Sequence, residues 1–303
     1  MVSESYQQAG IPINWHAALL RAVRKPLVAE GLTNREFEGD LANGNTVRIV
    51  MTSDVAIANY NRNVPITSTI LPLADQTLLA DQQKSFNFQT NDLDVKQVKP
   101  SFVEEQSSRA IYNMKRVQDA FIFQTMYDGV AAANYEGAFT VSPVDADAFE
   151  LASLAARILD DNDTPEDMGV PGMEPEGGPN GGFRFLVVPP LFAEQLVNDP
   201  RRSSFGTTDN LRTYGQRYIG RSVAGLEIFK STNLPSGADT TAGAGYTAVI
   251  AGWTKATAFA SQLVKFETQR VQGNFADFHM GMSVYGGKVV YPPNLVTFDV
   301  RAA

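Results

Sequence analysis

The sequence contains no cysteine, which removes disulfide staples, thiol nucleophiles and zinc sites built on cysteine. Histidine is nearly absent as well, with only His16 and His279 in 303 residues. No apolar run approaches the ~18–20 residues of a membrane span, and Met1 to Gly10 is polar, without the apolar core of a signal peptide. The chain is therefore expected to be soluble and to work where it is made. Charged residues are scarce at 19%, below the usual ~25%, as expected of a chain that hides much of its surface against something else. The balance is acidic, 25 Lys+Arg against 33 Asp+Glu for a net charge of −8. That excludes the clustered bases by which proteins grip nucleic acid. Hydrophobic residues, at 44%, suffice for one large core or two modest ones.

Five segments carry readable periodicity. Near the N-terminus Asn14 can cap a short helix whose stripe is Trp15, Leu19, Ala22 and Val23, beside Arg21, Arg24 and Lys25, until Pro26 breaks it. So small an arm cannot bury its stripe alone. Thr46–Thr52 (Val47, Ile49 and Met51) and Ser85–Thr90 (Phe86 and Phe88) alternate with period two, as strands with one buried face. The stretch between them holds Pro65 and Pro72 but no long helix. A connector of that kind is unusual in a compact domain, and two antiparallel strands alone are marginal. Their apolar face is expected to lie on another surface, a neighbouring copy or a cleft beneath a lid. Ser101-x-x-Glu104 is a capping box opening a helix to Tyr127, with Val103, Ala110, Met114, Val117 and Phe121 inward and Gly129 as a left-handed stop. At ~1.5 Å per residue it would run roughly 40 Å, a strut. A second helix is expected from Ser142-Pro143, with Leu151, Leu154, Ala155, Ile158 and Leu159 on one face.

Residues 163–182 then carry four Pro, six Gly and five carboxylates without a base, an exposed acidic loop. Further on, Phe183–Val188, Leu226–Lys230, Ala248–Ala251, Val264–Arg270 and Met282–Tyr285 with Val289-Val290 read as strands, whereas Pro190–Leu196 and Thr254–Leu263 read as helices. The class is α+β.

Chemistry-bearing motifs are few. Gly281–Val289 resembles a phosphate loop, but Val289 stands where Ser or Thr should follow Lys288; a bulge or turn at Gly286-Gly287 is the expectation. Asp277 and His279 could share a strand face as acid and base, yet nothing supplies a nucleophile, and His279 is expected at a surface or interface. Asp160, Asp161, Asp163, Glu166 and Asp167 miss the EF-hand pattern because Pro165 occupies the turn-glycine position. No catalytic, metal-binding or cofactor-binding residue is assigned.

The order of parts is more telling: a short arm, a long two-stranded excursion, a capped strut, an alternating region with an acidic loop, then a return. With Phe183-Arg-Phe-Leu-Val-Val-Pro-Pro190, Ile219–Pro235 (Gly–x–x–Val–Ala–Gly, a strand, then Ser231-Thr-Asn-Leu-Pro235) and Ser283-Val-Tyr-Gly-Gly-Lys-Val-Val290 before Pro292, the chain resembles the major capsid proteins of tailed double-stranded-DNA bacteriophages, the Hong Kong phage type of fold. The resemblance spans essentially the whole chain. It implies an N-terminal arm over 1–39, an extended loop over 40–92, a peripheral domain with a spine helix over 93–135, an axial domain over 136–251 and a return to the peripheral domain over 252–303.

The implied function is a virion shell of pentamers and hexamers, assembled in the host bacterial cytoplasm around DNA that it encloses without sequence-specific binding. No enzymatic activity and no membrane partner are implied. Met1 lies directly before the arm, so a separate scaffolding protein is expected, together with a portal and, optionally, a decoration protein. Val55–Gln83 holds no lysine, so the lysine crosslink of some relatives is not expected there. Candidate inter-subunit contacts are Trp15, Leu19, Val47, Ile49, Met51, Tyr60, Ile70, Leu73, Phe86 and Phe88. Each loop is expected to bury over about 1,200 Å² with both sides counted. Two rival readings are a cellular encapsulin-type shell that stores an enzyme, and a carboxylate-dependent hydrolase with residues 53–84 as a lid.

Overall fold

Three sheets and three helices organise the described part of the chain. The structure, a computed structural model, describes residues 27–39, 45–52, 73–92, 102–141, 147–162, 182–198, 218–221 and 225–302, with positions 57, 59, 62 and 164 between them.

Strands β1 (Thr46–Thr52) and β2 (Leu73–Leu79) form an antiparallel pair, Thr46 opposite Leu79 and Thr52 opposite Leu73. The period-two reading of 46–52 is correct, but its partner is the unpredicted 73–79. The strand read at 85–90 is β3 (Gln82–Asn91), and it belongs elsewhere. It lies along β10 (Ala276–Val289), which pairs on its other edge with β9 (Thr257–Arg270). The strands read at 46–52 and 85–90 therefore do not pair with each other.

Helix α1 (Phe102–Asp128) has 27 residues, close to the expected span; its capping serine lies outside the described residues. Of the stripe read from sequence, Phe121 packs against the core, but the inward face is otherwise a different one. Val117 is 46% exposed, and the buried positions are Asp119, Ile122, Phe123, Met126 and Tyr127. The stop at Gly129 is not left-handed. Glycine is required there because an added Cβ would lie 2.4 Å from Val289 Cγ2.

The largest sheet runs β4 (Tyr135–Val141), β11 (Leu295–Ala302), β8 (Thr247–Trp253), β5 (Arg184–Val188), β7 (Glu227–Lys230), β6 (Tyr218–Arg221). The β4–β11 and β5–β7 pairs are parallel and the other pairs antiparallel. Helices α2 (Ala148–Asp161) and α3 (Pro190–Asn198) cover one face, where Leu151, Ala155, Leu159 and Phe192 meet Leu186, Val249 and Phe298. On the other face Phe185, Val187 and Ile250 meet Ile122, Phe123 and Met126 of α1. Burial on both faces explains why β5 reads as one apolar run instead of alternating. Helix α2 begins at Asp147, whose carboxylate accepts from Phe149 N at 3.1 Å, and not at Ser142. Strand β11 sits between β4 and β8, so residues 295–302 are part of the large sheet.

The expected helix at Thr254–Leu263 is also corrected: from Thr257 the chain is strand β9. Ala258 and Ala260 pack under β1–β2, while Ala256 and Phe259 join the core beneath α1. Small residues on one buried face and larger ones on the other imitate helical spacing. The glycines at 286 and 287 neither bulge nor turn, since the register shift in β10 falls at Met282/Ser283.

Tyr285, fully buried between Phe121 and Phe259, has a hydroxyl without a partner among the described residues. Burial alone pushes its pKa up. Tyr285→Phe removes an unpaired polar atom and is expected to be neutral or stabilising by up to about 1 kcal/mol; loss of unfolding free energy in urea would contradict this.

Candidate functional site

Of the contact candidates, Trp15, Leu19, Tyr60 and Ile70 lie outside the described residues. Met51 and Leu73 stand at the end of the β1–β2 ladder where the excursion leaves the body. Val47 and Ile49 do not await a neighbour. They are 6% and 7% exposed, covered within the chain by Leu78, Ala80, Ala258, Ala260 and Val290. The base of the excursion thus rests on its own chain, where a neighbouring copy or a cleft beneath a lid was expected to give its apolar face a surface. Phe86 and Phe88 are half-buried against the same chain: an added Cβ at Gly281 would reach 2.5 Å from the Phe86 ring, and Phe88 stacks on His279 with centroids 4.9 Å apart.

What remains uncovered is a different set of apolar side chains. Val50 (58% exposed) and Leu79 (48%) stand on the outer face of β1–β2, beside the Arg48–Asp75 ion pair. Ile57 is exposed in the excursion, Ile111 and Val117 are exposed on α1, and Phe275 projects at the turn joining β9 to β10. Alternation gave the phase of β1 but could not find these, since an exposed apolar residue on the second face reads as noise. Phe275 had a signal, adjacent Gly273-Asn274, where Gly273 adopts φ +83°.

The motifs weighed for catalysis dissolve into structure. His279 is buried, not at a surface, with Nε2 3.1 Å from Thr90 Oγ1 and Nδ1 2.9 Å from Thr268 Oγ1. Asp277 turns instead to Arg270, which also binds Asp92. Gly281–Val289 lies within β10 and forms no loop. Asp160 pairs with buried Arg184 at 2.5 Å, while Asp163, Glu166 and Asp167 lie outside the described residues. Among the described residues no group of three or more His, Cys, Asp or Glu could hold a metal ion, and no helix is long and apolar enough to cross a membrane.

An open hollow of about 480 Å³ lies between the end of α1, β2 and β10. Its Thr125 hydroxyl donates to the Phe121 carbonyl and its Asp128 accepts from Gln124.

Two buried carboxylates hold the parts together. Asp299, fully buried on β11, accepts from the Tyr127 hydroxyl at 2.9 and 3.0 Å, the Tyr135 hydroxyl at 2.8 Å and Ala242 N at 2.9 Å. Both tyrosine pKa values are pushed up, first by burial and then by hydrogen bonding to the Asp299 carboxylate. Asp119 does comparable work at the other end of the buried part of α1. Among the described residues, buried carboxylates tie the elements together while apolar side chains stand exposed on β1–β2, α1 and the β9–β10 turn.

No family model and no curated protein matches the chain. Solved structures do. A structure from Mycobacterium phage Che8 superposes with a TM-score of 0.73 at 28% identity, covering 95% of this chain and 97% of that one. The capsid structure of cyanophage P-SCSP1u gives 0.68 at 15% identity, over 96% and 92% of the two chains. The capsid of Ralstonia phage GP4 gives 0.68 at 11% identity, over 100% and 98%.

Proposed function

We propose that this chain, whose fold is the Hong Kong phage type shared with phage capsid subunits, is the major capsid protein of a tailed bacteriophage and builds the shell of its virion. The single observation that carries the reading is end-to-end similarity: 28% identity over 95% of the chain, with nearly the whole of the other chain matched too. The match runs over 97% of a phage chain, and solved capsid structures share the fold, which supports a building role. The role is structural.

Identical subunits that meet head to tail close into rings, so pentamers and hexamers follow from one heterologous contact used repeatedly. The displayed residues Val50, Ile57, Leu79 and Phe275 are proposed as contacts, joined by Met51 and Leu73 at the root of the excursion and by Trp15, Leu19, Tyr60 and Ile70. Val47 and Ile49 are proposed instead as the seat that holds the excursion to its own body. A separate scaffolding protein and a portal complete the assembly, which takes place in the host cytoplasm. The acidic balance suits a container wall, because a basic lining would hold DNA by counterion release and hinder its movement.

Electron microscopy of the expressed chain, with and without a scaffolding protein, tests this. Closed icosahedral shells are expected. A monomer by sedimentation that forms no particle under either condition overturns the reading, and cargo-loaded shells formed without scaffold or portal would favour an encapsulin-type compartment.

A further inference from the structure

The Ser231-Thr-Asn-Leu-Pro235 run enters the shell reading only as a sequence motif, yet it carries a side chain, Asn233, to the carboxylate that holds Val28 and Ala29. Ser231 N donates to Val188 O at 3.1 Å, fastening the run to the end of β5. Ser231 Oγ accepts from Asn233 N at 3.2 Å, and Ala248 N donates to Pro235 O at 2.9 Å. The turn so fixed aims Asn233 at α1, where Asn233 Nδ2 donates to Asp119 Oδ2 at 2.8 Å. The other oxygen of Asp119, Oδ1, accepts from Val28 N at 3.0 Å and from Ala29 N at 2.8 Å.

Asp119 is only 3% exposed, so an ionised carboxylate there depends on these donors. The N–H groups of Val28, Ala29 and Asn233 are among those that face it, and bonds to a charged acceptor are the strong kind. An asparagine at 119 would offer one oxygen and turn its own NH₂ toward a donor. The two backbone amides open the 3₁₀ turn Ala29–Leu32, whose preceding residue, Val28, supplies no side-chain cap. Asp119, 90 positions further along the chain from Ala29, caps that turn in its place. Lys115 reinforces it from the same helix, 3.1 Å from Glu30.

We propose that Asp119 and Asn233 form a clasp that fixes Val28 and Ala29 against the body, so that α1 and the large sheet together set the direction of the chain at residue 28. The proposal rests on the shell reading above, but its first measurement does not. Hydrogen exchange on the full chain compares wild type with Asp119→Asn and Asn233→Ala. In Asp119→Asn, exchange in peptides covering 28–32 should rise on the order of tenfold, with 185–188 and 296–300 unchanged; Asn233→Ala should give a smaller rise at the same place. Assembly with a scaffolding protein should then give particles of mixed size for both variants, where wild type gives one.

Unchanged exchange at 28–32 in both variants overturns the clasp, as does a uniform rise across the sheets, which would mark a general folding defect. A local rise at 28–32 with particles of wild-type uniformity overturns the claim that the clasp sets the direction of the chain at residue 28. If wild type itself forms no shell, the shell reading fails, and the exchange result alone decides whether the clasp exists.

Discussion

Asp299→Ala should be among the most destabilising single substitutions in this chain, costing about 3–5 kcal/mol. The carboxylate is fully buried and joins three parts: the last turn of α1 through Tyr127, the start of β4 through Tyr135, and the 240–242 turn through Ala242 N. Tyr127 relays the link, since its oxygen also accepts from Thr241 N at 2.7 Å. Removing the acceptor strands two hydroxyls and an amide in a space that bulk water does not fill. Asp299→Asn keeps the shape and one acceptor oxygen, so it should fall between wild type and alanine. Chemical denaturation of the dissociated subunit measures both, and an alanine variant within about 1 kcal/mol of wild type would sink the account.

The same junction predicts an alkaline limit. Tyr127 and Tyr135 are raised above their ordinary value of 10.0. The folded state therefore keeps protons that the unfolded state releases. The contribution is fully present below that value and is lost as the pH climbs toward the folded-state values. Wild-type stability should fall above about pH 10 and hold flat through neutrality as far as these two groups decide it.

Gly286→Ala is expected to unseat the excursion. A Cβ at 286 would lie 2.1 Å from Leu79 O and 2.7 Å from Ala80 Cα. Both are backbone atoms, so no side chain can swing aside; the end of β2 must lift from β10. That opens the cluster of Val47, Ile49, Leu78 and Ala80 over Ala258 and Ala260, at a cost of about 1–3 kcal/mol or somewhat more. Gly287→Ala is the control, because its Cβ would meet Phe121 at 3.4 Å and nothing closer. The first variant should lose thermal stability and closed particles, while the second should keep both. Equal effects at the two positions would refute the close-approach argument.

These glycines show where sequence reading stops. The run Gly286-Gly287-Lys288 looked like a damaged phosphate loop or a turn; in space it is a strand interior against which another strand's backbone presses. Nothing local to 281–289 announces residues 79 and 80. His279 failed for the same reason: its partners Thr90 and Thr268 come from the two strands flanking β10, and only sheet order brings them there. Val47 and Ile49 were correctly assigned to a buried face, but which body buries them is a tertiary fact.

The sequence by itself determined what depends on neighbours along the chain: strand β1, the length of α1, the apolar face of α2, the buried run of β5 and the ordered motifs that resemble capsid subunits. Periodicity and turn chemistry act over a few residues, so one sequence suffices to read them. Only the tertiary structure decided that β9 is a strand, that 73–79 pairs with 46–52, and that two carboxylates, at 119 and 299, bind the helix to both ends of the subunit. Burial on two faces erases the alternation that marks a strand, and a hydrogen bond between residues 90 or 172 positions apart leaves no trace in the order of the letters.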